Sequence, residues 1–272
     1  MTDRQNLIEK MRALPEGEEK VNLIYEFFHE ETRLTTNAAR VEFLTTTRFI
    51  DRYLKPGMRL LDIGAGSGIY SLHYAKQGYR VDAMELADRN IEEFQKKLSP
   101  ELQINLRQGN ALNLSEYEDN SFDVVLCFGP LYHLHTKEER ATCIREAMRV
   151  CKEDGMLFFA FIGHDIVFMT ELHYDNQYFK TGDYDKESMR LQNFPFAFFT
   201  VPECRAMLEV EGLRILHAVA SDGFSELMAE RINAMDDEDY RQYLRWHEMI
   251  CEKEELLGAS NHLLFVCRRT QQ

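Results

Sequence analysis

Three glycines at alternate positions, Gly64, Gly66 and Gly68, stand in the stretch LLDIGAGSGIYSLHYA at residues 60–75. They follow a short β-type run and precede a helical one, so they mark a strand-to-helix bend. A bend that bare suits a small ligand whose atoms must touch backbone, or a tight turn that glycine alone makes easily. Glu85 ends the next apolar run, where a carboxylate can accept hydrogen bonds from both hydroxyls of a ribose. Gly109-Asn110-Ala111 ends the run after that. An amide side chain and a backbone N–H there can read an adenine edge, although Asn is also a common turn residue. In a dinucleotide fingerprint the third glycine would fall at Ile69, which weighs against a pyrophosphate ligand. Beyond FDVVLCFGP at 122–130 come Tyr132, His133 and His135, candidates for moving a proton.

The elements that must carry these residues alternate. MRLLDIG, YRVDAMEL, LQINLRQGNA, SFDVVLCFG and GMLFFAFIG read as strands. IYSLHYAKQG, ADRNIEEFQKKL and KEERATCIREAMRVCKEDG read as helices, the first and last closed by Gly78 and Gly155. Strands alternating with helices predict βαβ units and a doubly wound, mostly parallel α/β sheet, with its ligand beyond the carboxyl ends of the strands. VPECRAMLEVEG then reads as a helix, LRILHAVA as a sixth strand and HLLFVCRR as a seventh. Upstream, residues 5–54 carry helical spacing and Lys55-Pro56-Gly57 stops it. The expected organisation is therefore a helical layer over 1–54 and an α/β domain over 55–272. Insertions interrupt that domain at about 164–199 and about 222–258. Both leave the carboxyl end of a parallel strand, so with the amino-terminal helices they either form a lid or are peripheral padding.

Composition narrows the partners. A net charge of −14 disfavours DNA or RNA, whose backbone asks for clustered Lys and Arg. The first twenty residues alternate charge and lack the apolar core of a signal peptide, and MLFFAFI is too short to span a bilayer. Six cysteines without a C-x-x-C pair read as reduced core residues of a cytosolic protein. Oligomeric state is open.

Taken together, G-x-G-x-G after LLD, an acidic residue ending the next strand, G-N-A after the third and FDVVLCFGPLYHL resemble the class I S-adenosylmethionine-dependent methyltransferases. The resemblance covers about 58–163, and extends in order to LRILHAVA and HLLFVCRR, which look like that family's sixth and antiparallel seventh strands. GPLYHL is similar to a bacterial small-molecule subgroup of unassigned substrate. The resemblance implies S-adenosyl-L-methionine as cofactor and a small-molecule acceptor. It places Gly64, Ala65 and Gly66 along the methionine and ribose portion, with Gly68 opening the helix. Asp62 would lie near the methionine ammonium, directly or through water. Glu85 would hold the ribose hydroxyls and Leu86 would pack on the adenine. Asn110 and the Ala111 N–H would read the adenine edge, and the Phe128 backbone would approach the amino group. Asn110 and Glu85 stand where the family more often has Asp; both keep the acceptor oxygen the role requires.

Displacement at a sulfonium has a good leaving group, so alignment of the acceptor supplies much of the rate and a base is needed only for a protonated acceptor. His133 is the candidate base and Tyr132 a candidate wall of the acceptor pocket; each also reads as an ordinary structural side chain. His133 and His135 do not make a metal pair, because helical residues two apart point away from each other. Tyr25 and Phe28 are placed to close over the methionine end or to pack in a core. The rings of NFPFAFF and HYDNQYF suit either a flat acceptor or a satellite core. Two other readings compete: an NAD-dependent oxidoreductase, disfavoured by Ile69, and a cofactor-binding regulatory subunit without turnover.

Overall fold

The computed structural model describes residues 9–270 apart from 16, 29 and 193, so parts of the expected 5–54 helical layer and the first residue of NFPFAFF lie outside the described residues. The chain forms two compact units. The first comprises the chain through Thr32, Lys55–Gly155 and a short segment ending at Ala197. The second comprises Arg33–Leu54, Met156–Gln192 and the chain from Phe198 onward.

In the first unit, helix α1 (Glu18–Phe27) and a 3-10 turn (Glu30–Thr32) precede β1 (Arg59–Ile63), α3 (Ile69–Lys76), β2 (Arg80–Glu85), α4 (Asp88–Gln95) and β3 (Ile104–Gln108). Strand β4 (Phe122–Cys127), the short α5 (Pro130–His133) and α6 (Lys137–Val150) follow. The four strands are parallel in the order β3-β2-β1-β4. Both faces are covered, which is why β1 and β4 are buried almost throughout. The chain moves outward from β1 to β3 and then returns to the far side of β1. That reversal opens a crevice at the carboxyl ends of β1 and β4.

Strand β5 (Cys151–Gly163) begins in this unit and continues into the second. It starts four residues earlier than the sequence pattern suggests, because Gly155 is not a helix stop. A Cβ at Gly155 would lie 2.9 Å from the Asp123 carbonyl oxygen, so the glycine permits a close backbone approach within a strand.

The second unit holds α2 (Asn37–Asp51), the rest of β5, α7 (Val167–Tyr174), α8 (Tyr178–Thr181), the two-residue β6 (Phe198–Phe199) and α9 (Val201–Val210). Strand β7 (Leu213–Ala220), α10 (Ala229–Asn233), α11 (Asp237–Ile250), α12 (Glu254–Leu257) and β8 (His262–Arg269) complete it. Strand β8 runs antiparallel between β5 and β7, and β6 adds a parallel pair to β5. The described residues thus hold eight strands, one more than expected, because Phe198-Phe199 is too short for a periodicity to register.

Two predicted features differ. The amino-terminal helices do not travel together: α1 falls in the first unit, whereas α2 packs Ala38 and Val41 against Ile232 and Tyr240 in the second. The charged stretch after Ser221 is three helices, of which α11 is capped by Asp236 accepting from the Glu238 and Asp239 N–H groups. Most rings of the 164–199 insertion form the satellite core, with Phe168, Tyr178 and Tyr184 packed around Leu191.

Candidate functional site

The glycine bend owes its bareness to its neighbours as well as to any ligand. Gly64 has φ +72 and a Cβ there would meet Pro130 Cδ at 2.7 Å; Gly68 has φ +86 and its Cβ would lie 2.4 Å from the Phe94 ring. Both positions are left-handed and walled, so the turn demands glycine before a cofactor is considered. Over Gly66, φ +55, the nearest atom is Glu30 Cγ at 3.1 Å.

The crevice beyond β1 and β4 contains a cavity with one wall of Gly64, Glu85, Leu86, Asn110 and Ala111. Gly129, Pro130, His133 and Leu134 form the opposite wall, and Glu18, Val21 and Tyr25 of α1 close it. These three recur at three- and four-residue spacing, one face of a helix. The sequence singled out Tyr25 and missed Glu18 and Val21, whose spacing was the signal. Helix α1 is docked by Asn22, whose Oδ1 accepts the Asp88 N–H at 2.8 Å and so supplies the cap that Ala87 cannot. Among the predicted cofactor residues, Asp62, Ala65, Gly66, Gly68 and Phe128 do not line this cavity.

Electrostatics around the bend are set by burial. Glu85 is 4% exposed and accepts the Gly66 N–H at 2.6 Å and the Leu86 and Ala87 N–H groups at 3.0 and 2.8 Å. Burial raises its pKa despite those donors. Its oxygens are thus engaged by main chain, and a ribose would have to share or displace those bonds. Asp62 accepts the Ser71 hydroxyl at 2.6 Å and is pushed up to about 6, by burial first and then by the charge of Glu85. The Ala111 N–H has no partner among the described residues, leaving a donor at the cavity wall beside Asn110, whose Oδ1 accepts the Leu112 N–H at 2.9 Å.

On the opposite wall, the Tyr25 hydroxyl and His133 Nε2 are 2.9 Å apart, and His133 Nδ1 is buried without a partner among the described residues. Burial, with His135 nearby, drives the His133 pKa down to about 3. The imidazole is therefore neutral at physiological pH. Tyr132 does not line the cavity: its hydroxyl donates to the Phe128 carbonyl at 2.7 Å, and thereby occupies one acceptor site of a carbonyl predicted to meet the cofactor. Phe196, from the first insertion, packs edge-on to His133 and Tyr132 with centroids 5.2 and 5.8 Å apart, and lies 5.6 Å from Phe28. Of the insertion's rings, this one alone reaches the predicted acceptor residues among the described contacts.

Positive-φ glycines at a strand end, a buried acid, an unpartnered N–H beside an exposed amide and an apolar Leu86 suit an adenosyl group. Residues 61–159 match the family model described as a methyltransferase domain. YqeM of Bacillus subtilis (strain 168), named as a methyltransferase, is 30% identical over 42% of this chain and 46% of its own length. A ubiquinone biosynthesis O-methyltransferase of Hahella chejuensis is 30% identical over 47% of this chain and 51% of its own. The matches span about half the length of these relatives. Among solved structures, a SAM-dependent methyltransferase from Methanosarcina mazei superposes with a TM-score of 0.54 at 20% identity, over 82% of this chain and 98% of that one, a likeness of fold.

Proposed function

Because residues 61–159 belong to the methyltransferase domain family, we propose that this chain is a class I S-adenosylmethionine-dependent methyltransferase. Its acceptor is a hydroxyl of a small molecule, and it works in the cytoplasm. The observation that carries the reading is one cavity at the strand-order reversal that gathers Gly64, Glu85, Leu86, Asn110 and Ala111. When bound, the cofactor supplies a methyl group activated on a sulfonium. Glu85 would hold the ribose hydroxyls, and Leu86, Asn110 and the Ala111 N–H the adenine. The backbone at Gly64 would meet the methionine portion, whereas Asp62, Ala65, Gly66, Gly68 and Phe128, which do not line the cavity, would shape the bend behind it. Helix α1 closes one side of the crevice with Glu18, Val21 and Tyr25.

His133 faces the same cavity as a neutral ring. With a pKa near 3 the ring positions an acceptor hydroxyl as part of the cavity wall, held there by Tyr25, rather than stripping its proton, which passes on to solvent. Orientation is worth up to about 7–11 kcal/mol in such a displacement, so a positioning role suffices. Oxygen as the methylated atom is supported by the names of the relatives, several of which are O-methyltransferases.

Incubating the full chain with metabolite extract and isotopically labelled S-adenosylmethionine tests the reading. Label should move to one hydroxyl-bearing compound. Cofactor binding with no labelled product in any extract would favour a regulatory role, and binding of NAD without adenosylmethionine would remove the proposal altogether. His133→Ala should abolish turnover while leaving cofactor affinity unchanged; an unaltered kcat would take His133 out of the mechanism.

A further inference from the structure

The second unit contains a cavity of about 200 Å3 lined in part by Arg33, Glu42, Asp222, Ser225, Glu226 and His262. It gathers at the carboxyl end of β7, the amino end of β8 and the start of α2. Most of its charge is matched internally. Arg33 forks onto Glu42 at 2.5 and 3.2 Å. His262 Nδ1 donates to Asp222 Oδ2 at 2.7 Å and lies 3.5 Å from Glu42 Oε2. The other Asp222 oxygen accepts the Ser260 hydroxyl at 2.5 Å and the His262 N–H at 3.1 Å. Burial opposes a charge on His262, but Glu42 and Asp222 outweigh it and push its pKa up to about 9, so it is an imidazolium at neutral pH.

Two cations thus answer two carboxylates, and Glu226 is left over. It accepts a single neutral hydrogen bond, from Asn261 Nδ2 at 2.5 Å. Burial and the charge of Asp222 raise its pKa, against the His262 charge and the Asn261 hydrogen bond that lower it, so the nearby cation does not fully offset its burial. Ser225 forms part of the same wall and is 2% exposed. A carboxylate held by one neutral hydrogen bond and a hydroxyl, both on one cavity, are what a bound ammonium would satisfy. Among the described residues no three acidic or imidazole groups converge to hold a metal ion. An anion would face three carboxylates with both cations already engaged. The volume exceeds the roughly 150 Å3 that accommodates a benzene-sized guest.

We infer that this cavity is a binding site for a small protonated amine, whose ammonium donates to Glu226 and Ser225. The inference stands apart from the methyl-transfer reading, since it uses no residue of the first unit and holds or fails whatever cofactor is bound there.

Titration calorimetry of the full chain at pH 7.5 with ethanolamine, and with ethylene glycol and acetate in parallel, tests it. Ethanolamine should bind saturably and the other two should not. Glu226→Gln, which keeps shape and an oxygen for Asn261, should weaken ethanolamine by about tenfold or more. Ser225→Ala should weaken it less. Absence of saturable ethanolamine binding to the unmodified chain, binding of acetate in its place, or equal affinity in a folded Glu226→Gln variant would each overturn the assignment. Because the ligand comparison on the unmodified chain is decisive alone, a poorly folding variant would not rescue the idea.

Discussion

His133 and His262 are the same side chain in two units, and they are driven in opposite directions. His133 has a tyrosine hydroxyl, aromatic rings and another histidine around it, with no carboxylate among the causes of its shift; burial acts nearly alone and the ring falls to about 3. His262 is also deprived of water, yet Glu42 and Asp222 carry it to about 9. Burial therefore does not decide the charge of a histidine; the carboxylates within reach do. The first arrangement makes a ring that can accept a hydrogen bond at any physiological pH. The second makes a fixed cation that helps shape a cavity.

The contrast gives opposite pH dependences, that of His262 on the alkaline side. Its folded pKa lies above the unfolded 6.5, so its stabilisation is fully present below pH 6.5 and is lost as pH rises through 9. The 2.5-unit gap, trimmed because the side chain is 29% exposed, amounts to about 3 kcal/mol. Denaturant unfolding at pH 6 and pH 9.5 should show that loss in the unmodified chain and not in His262→Gln. Equal losses in both proteins would mean the imidazolium is not formed. His133 works the other way: its folded pKa is depressed, so the unfolded chain takes the proton first and stability falls as pH drops below 6.5. Between pH 6.5 and 5 that is about 2 kcal/mol, and His133→Gln should flatten this acid limb. A His133 imidazole resonance titrating near 6.5 would erase the comparison.

These two sites were unequally legible in the sequence. The first unit's site could be read because its parts are local to strand ends: Gly64 to Gly68 follow β1, Glu85 ends β2, Asn110 follows β3 and His133 follows β4, all brought together by one topology rule. What escaped there depends on packing across the chain. Nothing in GAGSG says that Phe94 and Pro130 wall two of its glycines, or that Glu85 spends its oxygens on main-chain N–H groups. The separation of α1 from α2 was hidden because both show the same helical spacing, and only their partners differ. In the second unit the signals were weaker still. Glu42, Asp222 and His262 lie in three distant segments, and no periodicity joins them. A two-residue strand and a helix stop replaced by a strand at Gly155 failed for the same reason, since each is decided by what lies opposite.

The finest test concerns how His133 is held. Among the described residues the Tyr25 hydroxyl, 2.9 Å from Nε2, is the hydrogen-bonding partner of the His133 ring, so it sets which ring nitrogen carries the proton. Tyr25→Phe removes one buried hydrogen bond and little volume, costing about 1 kcal/mol of stability. If the tyrosine only packs, kcat should follow stability and change little. If it sets the tautomer, kcat should fall by about tenfold with KM for the cofactor unchanged, as expected when positioning rather than binding is lost. The imidazole nitrogen shifts in the variant separate the cases, because a tautomer change moves both ring nitrogens whereas a lost packing contact leaves them nearly in place. His262, whose Nδ1 is fixed by Asp222, should be indifferent to this substitution, and a change in its resonance would show that the two histidines do not respond to their own neighbours alone.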